Sequence, residues 1–339
     1  MITWPGLMDR IVGAVELPDR AEGVLNGVDQ GAAAAAKDRA VFWQHPHFRD
    51  MGLLKARFRQ HRYALHTHPT YVIALITAGC EKVRVNRRQE VVPASAVILV
   101  NPEECHDGEA GCEDGWAYRT FYPSIELMAE VARELCQAMP PLFPHSMLTD
   151  PDLSKALWRA HWLAECGDRD AAEAAMLVAL RRLIIGHADG SQPARAQSHA
   201  GSARRVAVYR EMVEDDPSGS FELMRFACAT GVTRFQVIRD FKQVTGFTPS
   251  AFVRDRRVQS ASRLILGGET LANAAISAGF SDQSHLTRAF KSSHGFTPGM
   301  LRQAALSAII TPPPTTGSRS RSGLRPSRPA RISRVPRSS

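Results

Sequence analysis

This chain of 339 residues lacks several things whose absence narrows its function. No apolar run approaches the ~18 to 20 residues of a membrane span, so no membrane partner is expected. No basic stretch precedes an apolar core at the N-terminus, where Asp9 and Arg10 interrupt early. A signal peptide is therefore not expected, and a cytoplasmic location is. The six cysteines (Cys80, Cys105, Cys112, Cys136, Cys166 and Cys228) include no C-x-x-C pair. In a reducing compartment they read as packing thiols, and nothing near Cys105 and Cys112 marks a redox pair. Carboxylates are absent from residues 311–339, which hold seven arginines among Pro and Ser with almost no apolar mass. Such a tail cannot bury a core and is expected to be disordered.

What is present is unevenly charged. The net charge of +8 divides into −4 over residues 1–200, +5 over 201–310 and +7 over 311–339. The basic part is the C-terminal part, where phosphate contact is expected. With 44% hydrophobic residues the chain has ample material for a core, and its length suggests two or three domains.

The most organised stretch is C-terminal. Leu271, Ala274, Ala275 and Ala278 fall on one helical face, and Gly279 stops that helix. Ser281 is placed to cap the next helix, with Asp282 as a second candidate cap. In that second helix Leu286, Ala289 and Phe290 share a buried face. Gln283, Ser284, His285, Thr287, Arg288 and Lys291 are left for the other side. A short polar, basic helix held across a glycine turn suits the major groove. The unit also occurs earlier. Ala227 precedes Gly231 as Ala275 precedes Gly279, and Phe241, Gly246 and Pro249 repeat as Phe290, Gly295 and Pro298, offset by 48 or 49 residues. In this first copy Thr233 and Gln236 have capping-box spacing, and Val237, Ile238 and Phe241 are expected in the core. Arg234, Phe235, Arg239 and Lys242 are expected to face outward. Thr248 and Pro249 open a long helix, to Leu266, that joins the copies.

These residues, with Phe226-Ala227, Gly231-Val232-Thr233, Gly246-Phe247-Thr248-Pro249, Arg257, Ala261, Leu264 and Gly279-Phe280-Ser281-Asp282-Gln283-Ser284-His285, resemble the double helix-turn-helix domain of the AraC/XylS family of transcription regulators. The resemblance covers roughly a hundred residues, in order and at family spacing. It places base-facing positions at Arg234, Phe235 and Arg239, and at Gln283, Ser284, His285 and Arg288. Arg can fork onto guanine, Gln onto adenine, and Phe can touch a thymine methyl. Lys242 and Lys291 are expected on phosphates, which position without specifying. Structural alternatives stay open: Arg239 or Arg288 paired with a carboxylate, Phe235 turned inward, Gln236 serving only as a cap partner.

The N-terminal half reads differently. Residues 1–38, with the run Gly31 to Ala36, read as a poorly ordered or locally helical arm without assigned role. Residues 39–123 carry short strands: Tyr71 to Thr77 ended by Ala78-Gly79, Lys82 to Asn86, Ala96 to Val100 stopped by Asn101-Pro102, and Trp116 to Phe121. This argues a sandwich or small barrel. The order His66-Thr67-His68, Gly79, then His106 is similar to the cupin-like sensor that precedes the DNA-binding part in many AraC-type proteins. The resemblance implies an effector site at the barrel mouth, with His66, His68, Tyr71 and His106 as candidate lining residues. Cupin enzymes bind metal through H-x-H and a later His, usually with a Glu a few residues on. Pro69 to Ile73 supplies none, so neither metal nor cofactor is expected. Helical spacing returns over 124–188, as a dimer contact or a cover for one barrel face. Residues 189–203 read as the linker, 204–310 as the DNA-binding domain and 311–339 as the tail.

The expected fold class is α+β in two domains: an N-terminal cupin-like β-barrel with following helices, then a C-terminal all-α double helix-turn-helix. The expected function is a sequence-specific DNA-binding transcription regulator, an activator by family habit, rather than an enzyme. Its expected partners are double-stranded DNA, a small-molecule effector of unknown identity, RNA polymerase and a second copy of the chain. The alternative is a metal-dependent cupin enzyme fused to a DNA-binding domain, against which the missing Glu speaks.

Overall fold

The computed structural model describes residues 38–189, apart from 49 and 87, and residues 200–310. The basic tail, the N-terminal arm up to residue 37 and most of the expected linker lie outside the described residues.

Among the described residues seven strands precede the first helix and an eighth follows it: β1 (Arg39–Gln44), β2 (Gly52–Phe58), β3 (Val72–Val85), β4 (Arg88–Pro93), β5 (Val97–Val100), β6 (His106–Ala110), β7 (Trp116–Tyr122) and, after that helix, β8 (Met147–Leu148). They pair antiparallel in the order β1-β2-β7-β3-β5-β8, while β4 and β6 flank the far half of β3. One expectation is corrected here. Ala78-Gly79 does not end a strand; β3 is one 14-residue strand that serves both parts of the sheet. Its pairing with β7 slips between Ile76 and Ala78, and Gly79 sits at φ +67°. A side chain at Gly79 would collide with the Gly115 carbonyl, so the glycine permits a bend, not a stop.

The period of two along β3 separates two cores. Tyr71, Ile73 and Leu75 face one side, with Met51, Leu53 and Phe121. Val72, Ala74 and Ile76 face the other, with Leu54, Ile98 and Tyr118. The first side is covered by α1 (Ile125–Glu134), α2 (Pro151–Cys166) and α3 (Arg169–His187), through Met128, Leu157, Met176, Leu180 and Ile184. Caps fix their starts: Ser124 accepts from Leu127 N–H, Asp150 from Asp152 and Leu153, and Asp168 from Ala171.

The C-terminal helices are α4 (Ala200–Asp215), α5 (Leu223–Ala229), α6 (Arg234–Thr245), α7 (Pro249–Leu266), α8 (Leu271–Ser277), α9 (Gln283–His294) and α10 (Pro298–Ile310). The expected long helix over Pro249 to Leu266 is α7, opened by Thr248, whose side chain accepts from Ala251 N–H. The first repeat packs a core of Tyr209, Phe226, Val237, Phe241, Phe247 and Phe252, which Cys105 of the β domain joins at its edge. The second repeat merges with the β domain more extensively. Ala274, Ala275, Leu286, Phe290 and Phe296 belong to a cluster continuous with the β-domain interior, and Phe296 stacks on Phe42 of β1 at 4.4 Å between ring centroids.

Candidate nucleic-acid interface and sensor pocket

Each helix-turn-helix is built the same way. Small side chains let the first helix lie close to the second: Ala227 in α5, and Ala274, Ala275 and Ala278 around α8, are buried. The turns need left-handed backbone, which Gly231 (φ +67°) and Gly279 (φ +84°) supply. Thr233 caps α6 by accepting from Gln236 N–H at 3.2 Å. The cap of α9 is Asp282, which accepts from His285 N–H at 2.7 Å. Ser281, the other candidate, instead donates its hydroxyl to Asp282 Oδ2 at 3.1 Å, because its position lies one residue too early to reach the free amides. Both helices close with a left-handed glycine, Gly246 and Gly295, whose N–H groups donate to the Lys242 and Lys291 carbonyls.

This frame leaves one face of each second helix outside. Arg234, Phe235, Arg239 and Lys242 of α6 are exposed, as are Gln283, Ser284, Arg288 and Lys291 of α9. Phe235 is 60% exposed, so it does not turn inward; Arg234 lies over its ring at 4.9 Å. Arg239 is not taken by a carboxylate: Nη2 donates to Gln236 Oε1 at 2.7 Å. Asp240, the nearby acid, is claimed by Arg205 at 2.6 Å and by the Gln236 amide at 2.7 Å. His285 is the least free of the nine. It is half-buried, its ring edge-on to Phe280 at 5.1 Å and its Nδ1 3.1 Å from Ser281 Oγ.

The sensor candidates divide. His66, His68 and His106 are buried together, with nitrogens that all lie within 4.8 Å of one another. Burial first, and the neighbouring rings second, hold His66 and His68 well below the usual imidazole range; burial takes His106 down to about 4. Tyr71 does not join them. Odd-numbered positions of this stretch face the helix-covered core, where Tyr71 donates to the Pro141 carbonyl at 2.7 Å and packs on Phe143. The β-domain interior beside the histidines is nearly full. Its cavity of about 50 Å³ is bounded by Glu81, Tyr63, Tyr118 and Thr120 among others, and burial raises the Glu81 carboxyl to about 8.

A larger cavity, about 480 Å³, opens at the end of the β domain that meets the helices. Phe42, His68 and Tyr122 form one wall; Arg256, Gln259 and His294 form the other. Sequence reasoning missed this second wall, because it comes from α7 and α9. Thr67 lies between the two histidines and is gripped by α7. Its N–H donates to Asp255 Oδ1 (3.1 Å) and its hydroxyl to Asp255 Oδ2 (2.8 Å), while Arg256 and Gln259 donate to Thr67 Oγ1 (3.0 and 2.7 Å). Arg256 also pairs with Glu103 at 2.6 Å. Burial raises Asp255 to about 6, against the opposing pull of Arg256 and Thr67. The spacing of Asp255, Arg256 and Gln259 was a possible signal for a shared contact, but not for its target.

Comparison with known proteins agrees with both halves. A family model described as an AraC-like ligand binding domain matches residues 50–181, and one for a helix-turn-helix domain matches residues 226–304. The chain is 25% identical over 227 residues to the uncharacterized HTH-type transcriptional regulator YbfI of Bacillus subtilis, covering 66% of this chain and 82% of that one. It is 33% identical over 119 residues to the virulence regulon transcriptional activator VirF of Yersinia enterocolitica, covering 34% of this chain and 42% of that relative, less than half its length. The solved structure of ToxT from Vibrio cholerae aligns over 81% of this chain and 99% of that chain at 10% identity, with a TM-score of 0.42. Among the described residues no helix is long and apolar enough to cross a membrane.

Proposed function

Since the chain belongs to the AraC family of transcription regulators, with an N-terminal ligand-binding domain and a C-terminal helix-turn-helix DNA-binding domain, we propose that α6 and α9 enter two successive major-groove segments of one operator, roughly one helical turn (~34 Å) apart. The observation that carries this reading is the paired exposure of the polar faces of α6 and α9 on two copies of one turn. Arg234, Arg239 and Arg288 are suited to guanine, Gln283 to adenine, Phe235 to a thymine methyl and Ser284 to either kind of base edge. Lys242 and Lys291 take phosphates, and His285 chiefly orients the start of α9.

The effector, a small organic molecule, sits in the cavity of about 480 Å³ between β domain and helices, a volume in the usual range for such ligands. There it touches both units and shifts the balance between DNA-competent and incompetent arrangements by binding one of them better. Arg256 and His68 supply polar anchors and Phe42 and Phe296 apolar surface. Two copies associate through the outward face of α2 and α3, where Trp162, Val178 and Ile185 are exposed. The protein acts in the cytoplasm and recruits RNA polymerase as an activator.

Selection of DNA on the purified chain, followed by footprinting, tests the core of this reading. Two protected segments on one face of the duplex are expected. Arg288→Ala should weaken binding by about 5- to 150-fold and relax selectivity over one segment. Unselective binding that disappears with added salt would show phosphate attraction alone and refute it.

A further inference from the structure

The histidine cluster has a geometry that a ligand-lining role does not require. His66 and His106 are locked by a backbone bridge, each N–H donating to the other's carbonyl at 3.0 Å. Their rings are fixed as well. His66 Nδ1 lies 2.7 Å from the Ala64 carbonyl and His106 Nδ1 2.9 Å from the Glu104 carbonyl. A carbonyl only accepts, so each Nδ1 carries the proton and each neutral ring keeps a lone pair on Nε2. This backbone-oriented tautomer is the arrangement that metal-binding imidazoles adopt. His66 Nε2 and His68 Nε2 are 3.1 Å apart, and the three rings place ligand nitrogens within 4.8 Å of each other. With His66 and His106 both acceptors, only His68 can supply a proton among the three.

A fourth imidazole approaches from the other domain. His294 ends α9, its ring stacked on Phe290 at 4.3 Å and its Nδ1 2.9 Å from Ser293 Oγ. Its ring centroid is 5.2 Å from that of His68 and 6.2 Å from that of His66. Within the trio the centroid separations are 4.2, 4.8 and 5.2 Å. Two imidazoles bound end-on to one tetrahedral ion, at about 2 Å per bond, put their centroids about 5 Å apart. The observed values bracket that figure. All-imidazole donors without a thiolate suit zinc, copper, nickel or iron rather than magnesium or calcium.

We propose that His66, His68 and His106 hold one divalent transition-metal ion of the zinc class, and that His294 of the second recognition helix supplies a fourth imidazole, so that the ion joins the sensor to the DNA-reading unit. The metal is then an input to regulation. The β-domain residues Ala64, Leu65 and His66 line the same groove as His285 and Arg288, and Ala64 N–H donates to the Ser292 carbonyl at 2.8 Å. Tightening the histidines around an ion fixes how that groove presents α9. The consequence for DNA rests on the regulator reading; metal binding itself does not.

The test uses the full, tag-free chain, stripped with chelator and reloaded with Zn²⁺ or Co²⁺. Elemental analysis is expected to give one ion per chain, with a rise in melting temperature on loading and a strong visible band for four-coordinate Co²⁺. His66→Gln and His106→Gln should abolish stoichiometric binding, with circular dichroism to check folding. His68→Gln, outside the backbone bridge, is the further variant if either fails to fold. His294→Gln should keep a bound ion at least tenfold more weakly and lose the four-coordinate spectrum. Less than about a tenth of an ion per chain after loading, or unchanged binding in the folded trio variants, overturns the site. An unchanged affinity and Co²⁺ spectrum in His294→Gln overturns the link between domains. Footprinting of the same samples with and without Zn²⁺ reads the regulatory consequence separately: an operator that binds equally in both states rejects the metal as an input, while loss of all selective binding rejects the regulator reading and leaves the metal result standing.

Discussion

Gly231 and Gly279 occupy the same place in the two repeats, with similar backbone angles, yet their surroundings differ. Alanine at either position must adopt a left-handed conformation, costing about 1 kcal/mol. At Gly231 an added methyl meets nothing within 4 Å, so that cost is the whole effect. At Gly279 the methyl lands 2.8 Å from Ser218 Cα and 2.9 Å from Arg257 Nε. Neither neighbour moves freely. Asp216 accepts from the Ser218 N–H and hydroxyl, and Arg257 donates to the Pro217 and Gly219 carbonyls. Overpacking of this kind adds roughly 1–3 kcal/mol, which brings Gly279→Ala to about 3 kcal/mol. Amide hydrogen exchange, read on peptides from 223–245 and 271–294, resolves the two repeats. Exchange in the first should quicken about fivefold in Gly231→Ala, and in the second roughly a hundredfold in Gly279→Ala, at 1.36 kcal/mol per factor of ten. Equal effects, or a larger one at Gly231, would refute the assignment of Gly279 as the turn that packs against the loop at Ser218.

Other outcomes can be checked independently. Phe241→Ala empties a fully buried ring position among Tyr209 and Phe252 and should cost about 3–5 kcal/mol in urea unfolding followed by circular dichroism; a loss under 1 kcal/mol would contradict the packing. Thr67→Val removes the hydroxyl that Asp255, Arg256 and Gln259 share, leaving a buried carboxylate short of a donor at a cost of about 1–3 kcal/mol. Amides of α7 should then exchange faster, whereas unchanged protection would show that the domains are held elsewhere. His45 Nδ1 accepts from the His47 and Phe48 N–H groups, and burial lowers its pKa to about 4. The unfolded chain takes up that proton near pH 6.5 and the folded chain only near 4, so this stability is full above 6.5 and declines as pH falls toward 4, by up to about 3 kcal/mol. His45→Gln should flatten that part of the stability-against-pH curve, and an unchanged slope would rule His45 out as its source.

The helical half was legible because its signals are local. Alanines at helical spacing, a glycine stop and a Ser, Thr or Asp cap all act within one turn of the chain, and α7 begins and ends at Pro249 and Leu266 as expected. The cap of α9 shows the limit of that reasoning: Ser281 and Asp282 are both competent side chains, and the one-residue register that decides between them is set by the turn at Gly279. In the β domain the runs that form β3, β5 and β7 were legible, but β1, β2, β4, β6 and β8 were not named, nor was the joining of two runs into β3, since Gly79 serves equally as a stop and as a bend. Tyr71 was misplaced because a β-branched run marks a strand without saying which face is interior. The histidines were singled out by their spacing. Their convergence required the backbone bridge between His66 and His106, forty residues apart, and His294 required the docking of a second domain, which no periodicity encodes.

The helix α7 belongs to both repeats and is also what the sensor grips, through Asp255, Arg256 and Gln259. It is 18 residues long, about 27 Å of hydrogen-bonded rod. A rod held near its middle can be turned or carried, but it does not stretch. If α6 and α9 both read DNA as proposed, whatever occupies the sensor acts on when the pair is presented, not on the distance between them. On the proposed reading α6 and α9 carry the address on DNA and α7 is the ruler between them, so a change of effector would leave the spelling and spacing of the operator intact. Sensing and addressing are thus separable properties, free to drift apart under selection.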